Sequence, residues 1–125
     1  MSTDCDNRSR DTIRALNDEL RHALPFTKPG CMMTKPGCMM VATKGVEPLT
    51  VAKVAALVVA IRDYDAFTPD NDPHGEHDFG AVEQEGVQYF WKIDAYDRSL
   101  EFASPNPANP AVTTRVLTIM RADEY

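Results

Sequence analysis

The spacing of the hydrophobic residues changes once along this chain, and that change constrains the fold more than any other feature. Up to residue 62, apolar side chains recur every three or four positions, which predicts helices over residues 9–24 and 48–62. From residue 79 onward they alternate with polar ones, which predicts strands. A helical half followed by a strand half is typical of the α+β class.

The strand half predicts a small antiparallel sheet packed against two or three helices. Residues 79–83 form its first strand, Glu85-Gly86 is a hairpin turn, and residues 87–93 place alternate side chains on one face. Residues 100–102 supply a third strand, and residues 38–43 (CMMVAT) are a candidate fourth. Residues 111–125 fit either a helix or a strand, and the Asn109-Pro110 start favours the helix that we predict.

The heptapeptide TKPGCMM occurs twice in succession, at residues 27–33 and 34–40. Two copies of seven residues are too few for a solenoid, so we interpret them as a duplication inside one domain spanning residues 1–125. The second copy leads into the strand at 38–43, and the first is expected to be an inserted loop or arm. Cys31 and Cys38, one in each copy, are expected to be reduced thiols, because three cysteines without a CxxC pair do not suit a disulfide framework.

The charge of the chain is unevenly distributed. The net charge is -6, but residues 1–62 carry nine Lys/Arg against six Asp/Glu, whereas residues 63–101 carry eleven Asp/Glu against two Lys/Arg. Such an acidic segment repels phosphate backbones, so direct nucleic-acid binding is not expected, and a host protein with a basic surface is the expected partner. A merely solvated acidic face is the alternative. With no apolar run of about 18 residues and no hydrophobic leader, we expect a cytoplasmic protein with no membrane contact.

Chemically active side chains are concentrated in residues 70–78, DNDPHGEHD. A loop between rigid elements is a common place for binding groups, so we predict a partner-binding loop. Its six candidate residues are Asp70, Asp72, His74, Glu76, His77 and Asp78. Alternatively, the loop has no chemical role, and its Asp, Asn, Gly and His residues fix its own turns.

Three chemical interpretations of the same loop stay open. His74, His77 and Asp72 could hold a divalent metal, the only cofactor considered, although HGEH matches no known zinc helix motif. Asp70, Asp72 and Gly75 imitate the start of an EF-hand, but its twelfth position is Ala81 instead of Glu. A histidine oriented by Glu76 or Asp78 could act in acid–base catalysis, although no nucleophile accompanies it.

Three segments of the chain resemble a small bacterial family of unknown function. They are FTPDNDPHGEHDFG at residues 67–80, YFWKID at 89–94, and TRVLTIM with a closing EY at 114–120 and 124–125. The resemblance runs from about residue 45 to the end, and the doubled TKPGCMM departs from it. It implies a role in plasmids and other mobile elements, and no catalytic roles are carried over from it to residues of this chain.

Two hypotheses for function follow. The first is a non-enzymatic, protein-binding inhibitor or accessory factor of a mobile genetic element, in the manner of an anti-defence or anti-CRISPR protein, acting through its acidic surface. The second is a metal-dependent hydrolase centred on His74 and His77. Neither hypothesis predicts an oligomeric state.

Overall fold

The computed structural model describes residues 3–24, 38–46 and 48–125, with side chains from residue 8 onward. Within these residues, two helices and four strands follow one another: α1 (Thr3–His22), β1 (Cys38–Ala42), α2 (Val51–Arg62), β2 (Phe79–Gln84), β3 (Val87–Tyr96) and β4 (Thr114–Arg121). Short 3-10 turns precede and follow β4. In the described part of the chain, neither helix is long and apolar enough to cross a bilayer.

The four strands form one sheet in the order β1-β4-β3-β2. β3 runs antiparallel to both of its neighbours, β2 and β4, whereas β1 lies parallel to β4. The predicted α+β class is confirmed, but the sheet is mixed rather than antiparallel throughout. The strand predicted over residues 38–43 is confirmed as β1, and Cys38 is buried as a free thiol. The expectations for the first TKPGCMM copy and Cys31 lie outside the described residues.

Both helices pack on the same face of the sheet. Tyr89, Trp91 and Ile93 alternate along β3 and are buried, as the period of two predicted. They join one apolar core with buried residues of α1 and α2, of which Leu20 and Ile61 are fully inaccessible. Thr50 caps α2 by accepting a hydrogen bond from the Lys53 amide, so the helix begins after Pro48 instead of at it.

Gly80 is required by the way Trp91 fills this core. The two residues are register partners across β2 and β3. A β-carbon on Gly80 would lie 2.5 Å from the indole Nε1 of Trp91, closer than side chains can approach. Only glycine therefore allows β2 to pass beside the indole ring.

The prediction of a helix over residues 111–125 is wrong. Asn109 and Pro110 do begin a helical turn, but it ends at Val112, and Thr114–Arg121 is the strand β4. β4 is central, with β1 on one side and β3 on the other, and seven of its residues are buried or half-buried in succession. A strand that is buried on both faces has no polar alternation, so its sequence does not show the period of two.

The third strand predicted over residues 100–102 is also absent. Its residues lie in a turn, with a single bridge joining Tyr96 to Ala103. The Asp97 carboxylate organises that turn by accepting hydrogen bonds from the Ser99 hydroxyl and the Glu101 amide. Leu100 adopts a left-handed conformation at φ 64°, which a regular strand excludes. β4 takes the place beside β3 that this segment was expected to fill.

Candidate functional site

The loop between α2 and β2, residues 63–78, folds around its own polar side chains. The amide of Thr68 donates to the Asn71 side chain, and the amide of Asn71 donates to the Thr68 hydroxyl. The Asn71 side-chain amide also donates to the carbonyl of Ala66, and the Asp72 amide to that of Thr68. These bonds satisfy backbone groups that a long loop would otherwise leave to water.

One stripe of α1 fixes the loop from the side. The Arg14 guanidinium donates to the Gly75 carbonyl at 3.4 Å, and the Asn17 side-chain amide donates to the Glu76 carbonyl at 3.0 Å. Asp18 follows with its carboxylate 2.9 Å from His77 Nδ1. Positions three and four apart share a helix face, so a single stripe reaches three consecutive loop residues. The loop is therefore pre-formed against α1.

His77 is the central contact between loop and helix. Its Nδ1 meets Asp18, its Nε2 lies 3.6 Å from Asp72, and its backbone amide donates to the same Asp72 carboxylate at 3.2 Å. The imidazole stacks on the Phe67 ring with 3.7 Å between centroids. The backbone at His77 is left-handed, with φ 54°. Two carboxylates thus orient this imidazole, and they are Asp18 and Asp72 instead of the predicted Glu76 or Asp78.

Arg21 extends this network into the core. It is 2% exposed, and its Nη1 donates to three carbonyls at the end of α2, those of Ile61, Arg62 and Tyr64. Its Nη2 pairs with Asp18 at 3.0 Å, so one carboxylate serves both Arg21 and His77. A guanidinium at a helix C-terminus also offsets the negative end of the helix dipole. Arg21 therefore ties α1, α2 and the loop together.

Two open clefts lie on either side of the stacked Phe67–His77 pair. The larger has a volume of about 520 Å³ and runs between α1 and the start of the loop, past Arg21, Arg62 and Asp65. The second, of about 410 Å³, lies between the first half of α1 and the loop tip. Arg10, Arg14 and His74 line this second cleft.

Glu76 and Asp78 point away from these clefts, into a smaller cavity of about 190 Å³ beside β3 and β4. Burial raises the pKa of both carboxyl groups above the usual carboxylate range, and negative neighbours add to the effect. The main such neighbour of Glu76 is Asp78, and that of Asp78 is Asp72. Carboxyl groups with raised pKa values inside a cavity are a recurring feature of functional sites.

Arg115 closes the same cavity from β4. It is 3% exposed, and burial lowers the pKa of its guanidinium. Its Nε donates to the Asn17 side-chain carbonyl at 2.9 Å, and its Nη2 donates to the Pro107 carbonyl. Asn17 thereby joins the cavity to the loop, because its amide group also holds the Glu76 carbonyl. Two protonatable carboxyl groups beside a buried cation could exchange protons or hold a polar ligand.

The six predicted site residues therefore divide into three pairs. Asp70 and His74 are exposed at the loop tip, His77 contacts Asp18 of α1 while Asp72 holds His77 from within the loop, and Glu76 and Asp78 line the inner cavity. The two imidazoles do not converge with Asp72 on one point: His77 is held by Asp18 and Asp72, while His74 lies in the open. Over residues 3–24, 38–46 and 48–125, no three potential ligand side chains are grouped as a metal site requires.

The acidic segment is partly neutralised by the fold. Ion pairs join Asp63 to Arg62, Glu85 to Lys53, and Asp94 to Lys92. Within the described residues, Asp65, Asp70, Glu83 and Glu101 are exposed and have no ion-pair partner. The exposed negative charge is thus smaller than the count of carboxylates in residues 63–101 suggests, and two of its residues lie on the loop.

The family comparison covers α2, the loop and the strands β2, β3 and β4, with only the last residue of β1. A family model described as protein of unknown function (DUF3768) matches residues 42–124. The chain belongs to this family. The DUF3768 match confirms the resemblance carried by the loop and strand motifs, and it leaves the TKPGCMM copies outside. Searches of curated proteins and of solved structures found no match.

Sequence reasoning missed the residues that hold the DUF3768 loop in place. Asn17, Asp18 and Arg21 are polar residues among the apolar positions of α1, yet Asn17 and Arg21 are buried. Arg115 stands next to a run of apolar and β-branched residues, in TRVLTIM. A lone cation at the edge of such a run, in a segment buried on both faces, is the signal that could have identified it.

Proposed function

We propose that this domain is a non-enzymatic protein-binding module that presents its loop, residues 63–78, to a basic surface on a host protein. The observation that carries the proposal is the attachment of the loop to α1 through Arg14, Asn17 and Asp18. A surface that is already ordered loses less conformational entropy when a partner binds. The fixed loop therefore favours recognition by shape and charge.

The contact surface that we propose consists of the exposed loop residues Asp65, Asp70 and His74. Within the described residues, neither Asp65 nor Asp70 has an ion-pair partner, so both carboxylates are available to a cation on another molecule. Asp72 and His77 hold the loop in shape, and Glu76 and Asp78 support it from the inner cavity. The overall charge of -6 adds long-range attraction toward a basic partner.

In its specific form, the proposal is an inhibitor or accessory factor of a mobile genetic element. The resemblance to a protein family that is typical of plasmids and other mobile elements supports that setting. A basic nucleic-acid channel on a host defence protein is the type of surface that an acidic loop can occupy, as an anti-CRISPR-like protein would. The same electrostatics disfavour direct binding of the chain to nucleic acid.

A salt-dependent capture experiment with matched variants tests this proposal. Tagged chain is incubated with host lysate at low salt, and the retained proteins are compared with those from Asp65→Asn/Asp70→Asn and from Glu101→Gln. Glu101 is also exposed and without an ion-pair partner among the described residues, but it lies outside the loop. We expect a partner that high salt releases, that the loop variant loses and that the control keeps. A partner bound equally by both variants, or none at low salt, would refute the proposal.

A further inference from the structure

The second cleft, between α1 and the loop tip, is lined mainly by positively charged groups, although the loop itself is acidic in composition. The surfaces that line it carry Arg10 and Arg14 from α1 and the imidazole of His74 from the loop. Its one carboxylate, Asp72, has a side chain only 6% exposed and is engaged by His77. An incoming ligand therefore meets mainly cationic donors.

The two arginines converge on the backbone of Gly75. Four residues apart on α1, they share one helix face. Arg10 Nε lies 3.8 Å and Arg14 Nη1 lies 3.9 Å from the point where a β-carbon would stand on Gly75. Glycine is favoured there because φ is 67°, and the missing side chain leaves the space between the guanidiniums and the loop open.

Arg10 has the freer guanidinium of the two. Arg14 is engaged by Asp11 at 2.8 Å and by the Gly75 carbonyl, whereas the only ion pair of Arg10 among the side chains that the structure describes is a 3.7 Å contact with Asp11. Asp11 itself is half-exposed and does not line the cleft. The donors of Arg10 can therefore turn to a new acceptor without breaking a close hydrogen bond.

From these contacts we infer that the cleft binds a small phosphorylated ligand, with its phosphoryl group between Arg10, Arg14 and His74. Two guanidiniums suit a phosphomonoester better than a single carboxylate, because the phosphoryl group carries a charge of about -1.5 to -2. Phe67, Pro69 and Pro73 offer an apolar wall for the rest of the ligand. The volume of about 410 Å³ lies within the range of small-molecule pockets, roughly 300–1,000 Å³.

This site shares His74 with the proposed protein contact, but Asp65 and Asp70 do not line the cleft, and Arg10 and Arg14 are not part of the contact surface, so variants can test the two proposals independently. The probe is adenosine monophosphate, titrated at low salt, with binding measured by calorimetry and by the NMR shift of the Gly75 amide. Adenosine and inorganic phosphate are titrated in parallel. We expect saturable binding of the monophosphate, weaker binding of phosphate and none of adenosine.

Two variants that each remove one positive charge from α1 test the location of the site. Arg10→Gln is expected to weaken binding of the monophosphate about tenfold or more, whereas Arg8→Gln leaves it unchanged. Arg8 is exposed on the same helix and does not line the cleft. Arg10 is also largely exposed, so both variants should fold, and circular dichroism checks that they do. Absence of saturable binding, equal weakening by both variants, or adenosine binding as tightly as the monophosphate would each overturn the inference.

Discussion

Two arginines are buried almost completely in this domain, and their surroundings differ. Arg21 is 2% exposed, donates to three carbonyls at the end of α2 and pairs with Asp18. Arg115 is 3% exposed and donates to one side-chain carbonyl and one backbone carbonyl. In the described part of the chain, no carboxylate lies within ion-pair distance of Arg115. A buried cation can thus be compensated by an anion or by neutral acceptors alone.

The difference indicates two roles. Both terminal nitrogens of Arg21 are bonded, at a junction of α1, α2 and the loop, which is the pattern of a structural residue; within the described residues, its buried Nε has no hydrogen-bond partner. Arg115 borders a cavity whose carboxyl groups, Glu76 and Asp78, have raised pKa values. Its charge favours the ionised form of Glu76 without pairing with it. We expect removal of Arg21 to affect stability most, and removal of Arg115 to affect ionisation as well.

The largest effect is expected for Arg21→Met. The change leaves Asp18 without its buried cation and removes the side-chain donor to the carbonyls of Ile61, Arg62 and Tyr64, so the free energy of unfolding should fall by about 3–5 kcal/mol. Urea denaturation followed by the fluorescence of the fully buried Trp91 measures it. Arg62→Gln, which breaks only a surface ion pair with Asp63, should change stability by less than about 1 kcal/mol. Similar losses in the two variants would refute the role assigned to Arg21.

Arg115→Met should lower the free energy of unfolding by about 1–3 kcal/mol, which is less than the loss expected for Arg21→Met. The smaller loss follows because this change leaves two neutral acceptors unpaired instead of an anion. It should also raise the pKa of Glu76, since the charge of Arg115 now lowers that value. Unfolding curves give the first quantity, and a carbon-detected NMR titration of the Glu76 carboxyl gives the second. If the pKa of Glu76 did not move, the assignment of an electrostatic role to Arg115 would be wrong.

The third prediction concerns Asn17, the residue that connects Arg115 to the loop. Asn17 accepts from Arg115 and donates to the loop carbonyl of Glu76. Part of the stability that the Asn17→Ala variant loses should therefore come from the broken hydrogen bond with Arg115. A double-mutant cycle of Asn17→Ala with Arg115→Met should then show a coupling free energy of about 1 kcal/mol. Purely additive losses would mean that loop and cavity are independent.

The elements that could be predicted from the sequence are those in which apolar residues are buried and polar residues are exposed at regular spacing. The helices, the β2–β3 hairpin and the buried face of β3 with Trp91 were all visible as periods of apolar residues. β4 was not, because a central strand covered on both faces has no alternating pattern. The turn at residues 100–102 was missed because the nearby Asp97 carboxylate satisfies its amides, and a short apolar run does not show this local turn chemistry.

For the candidate site, the sequence located the loop but not what holds it. Asp72, His74, Glu76 and His77 were found together because they are adjacent in the chain. Their division between the helix contact, the exposed tip and the inner cavity depends on which side of the loop each faces. The partners Asn17, Asp18 and Arg115 are distant in sequence, and polar residues on a helix are ordinarily expected to face solvent.

The smallest effect is the dependence of stability on pH. The pKa of Asp78 is raised in the folded protein by burial and by its negative neighbours, so its contribution is fully present below the usual value of 3.8 and is lost as the pH rises through the raised value. Stability should therefore decline over that interval, and Asp78→Asn should remove this part of the decline. Urea unfolding at a series of pH values measures the slope.

Asp97 provides the opposite case within the same chain. The hydrogen bond from the Ser99 hydroxyl lowers the pKa of Asp97, so its contribution is present above 3.8 and is lost on acidification through the lowered value. Asp97→Asn should thus reduce the loss of stability that occurs below pH 3.8. Asp78→Asn should instead reduce the decline in stability that occurs as the pH rises above 3.8. If both variants changed the slope in the same direction, the raised pKa of Asp78 would be an incorrect account of the cavity. The contrast between Arg115 with its unpaired carboxyl neighbours and Arg21 with its paired Asp18 would then lose its electrostatic basis.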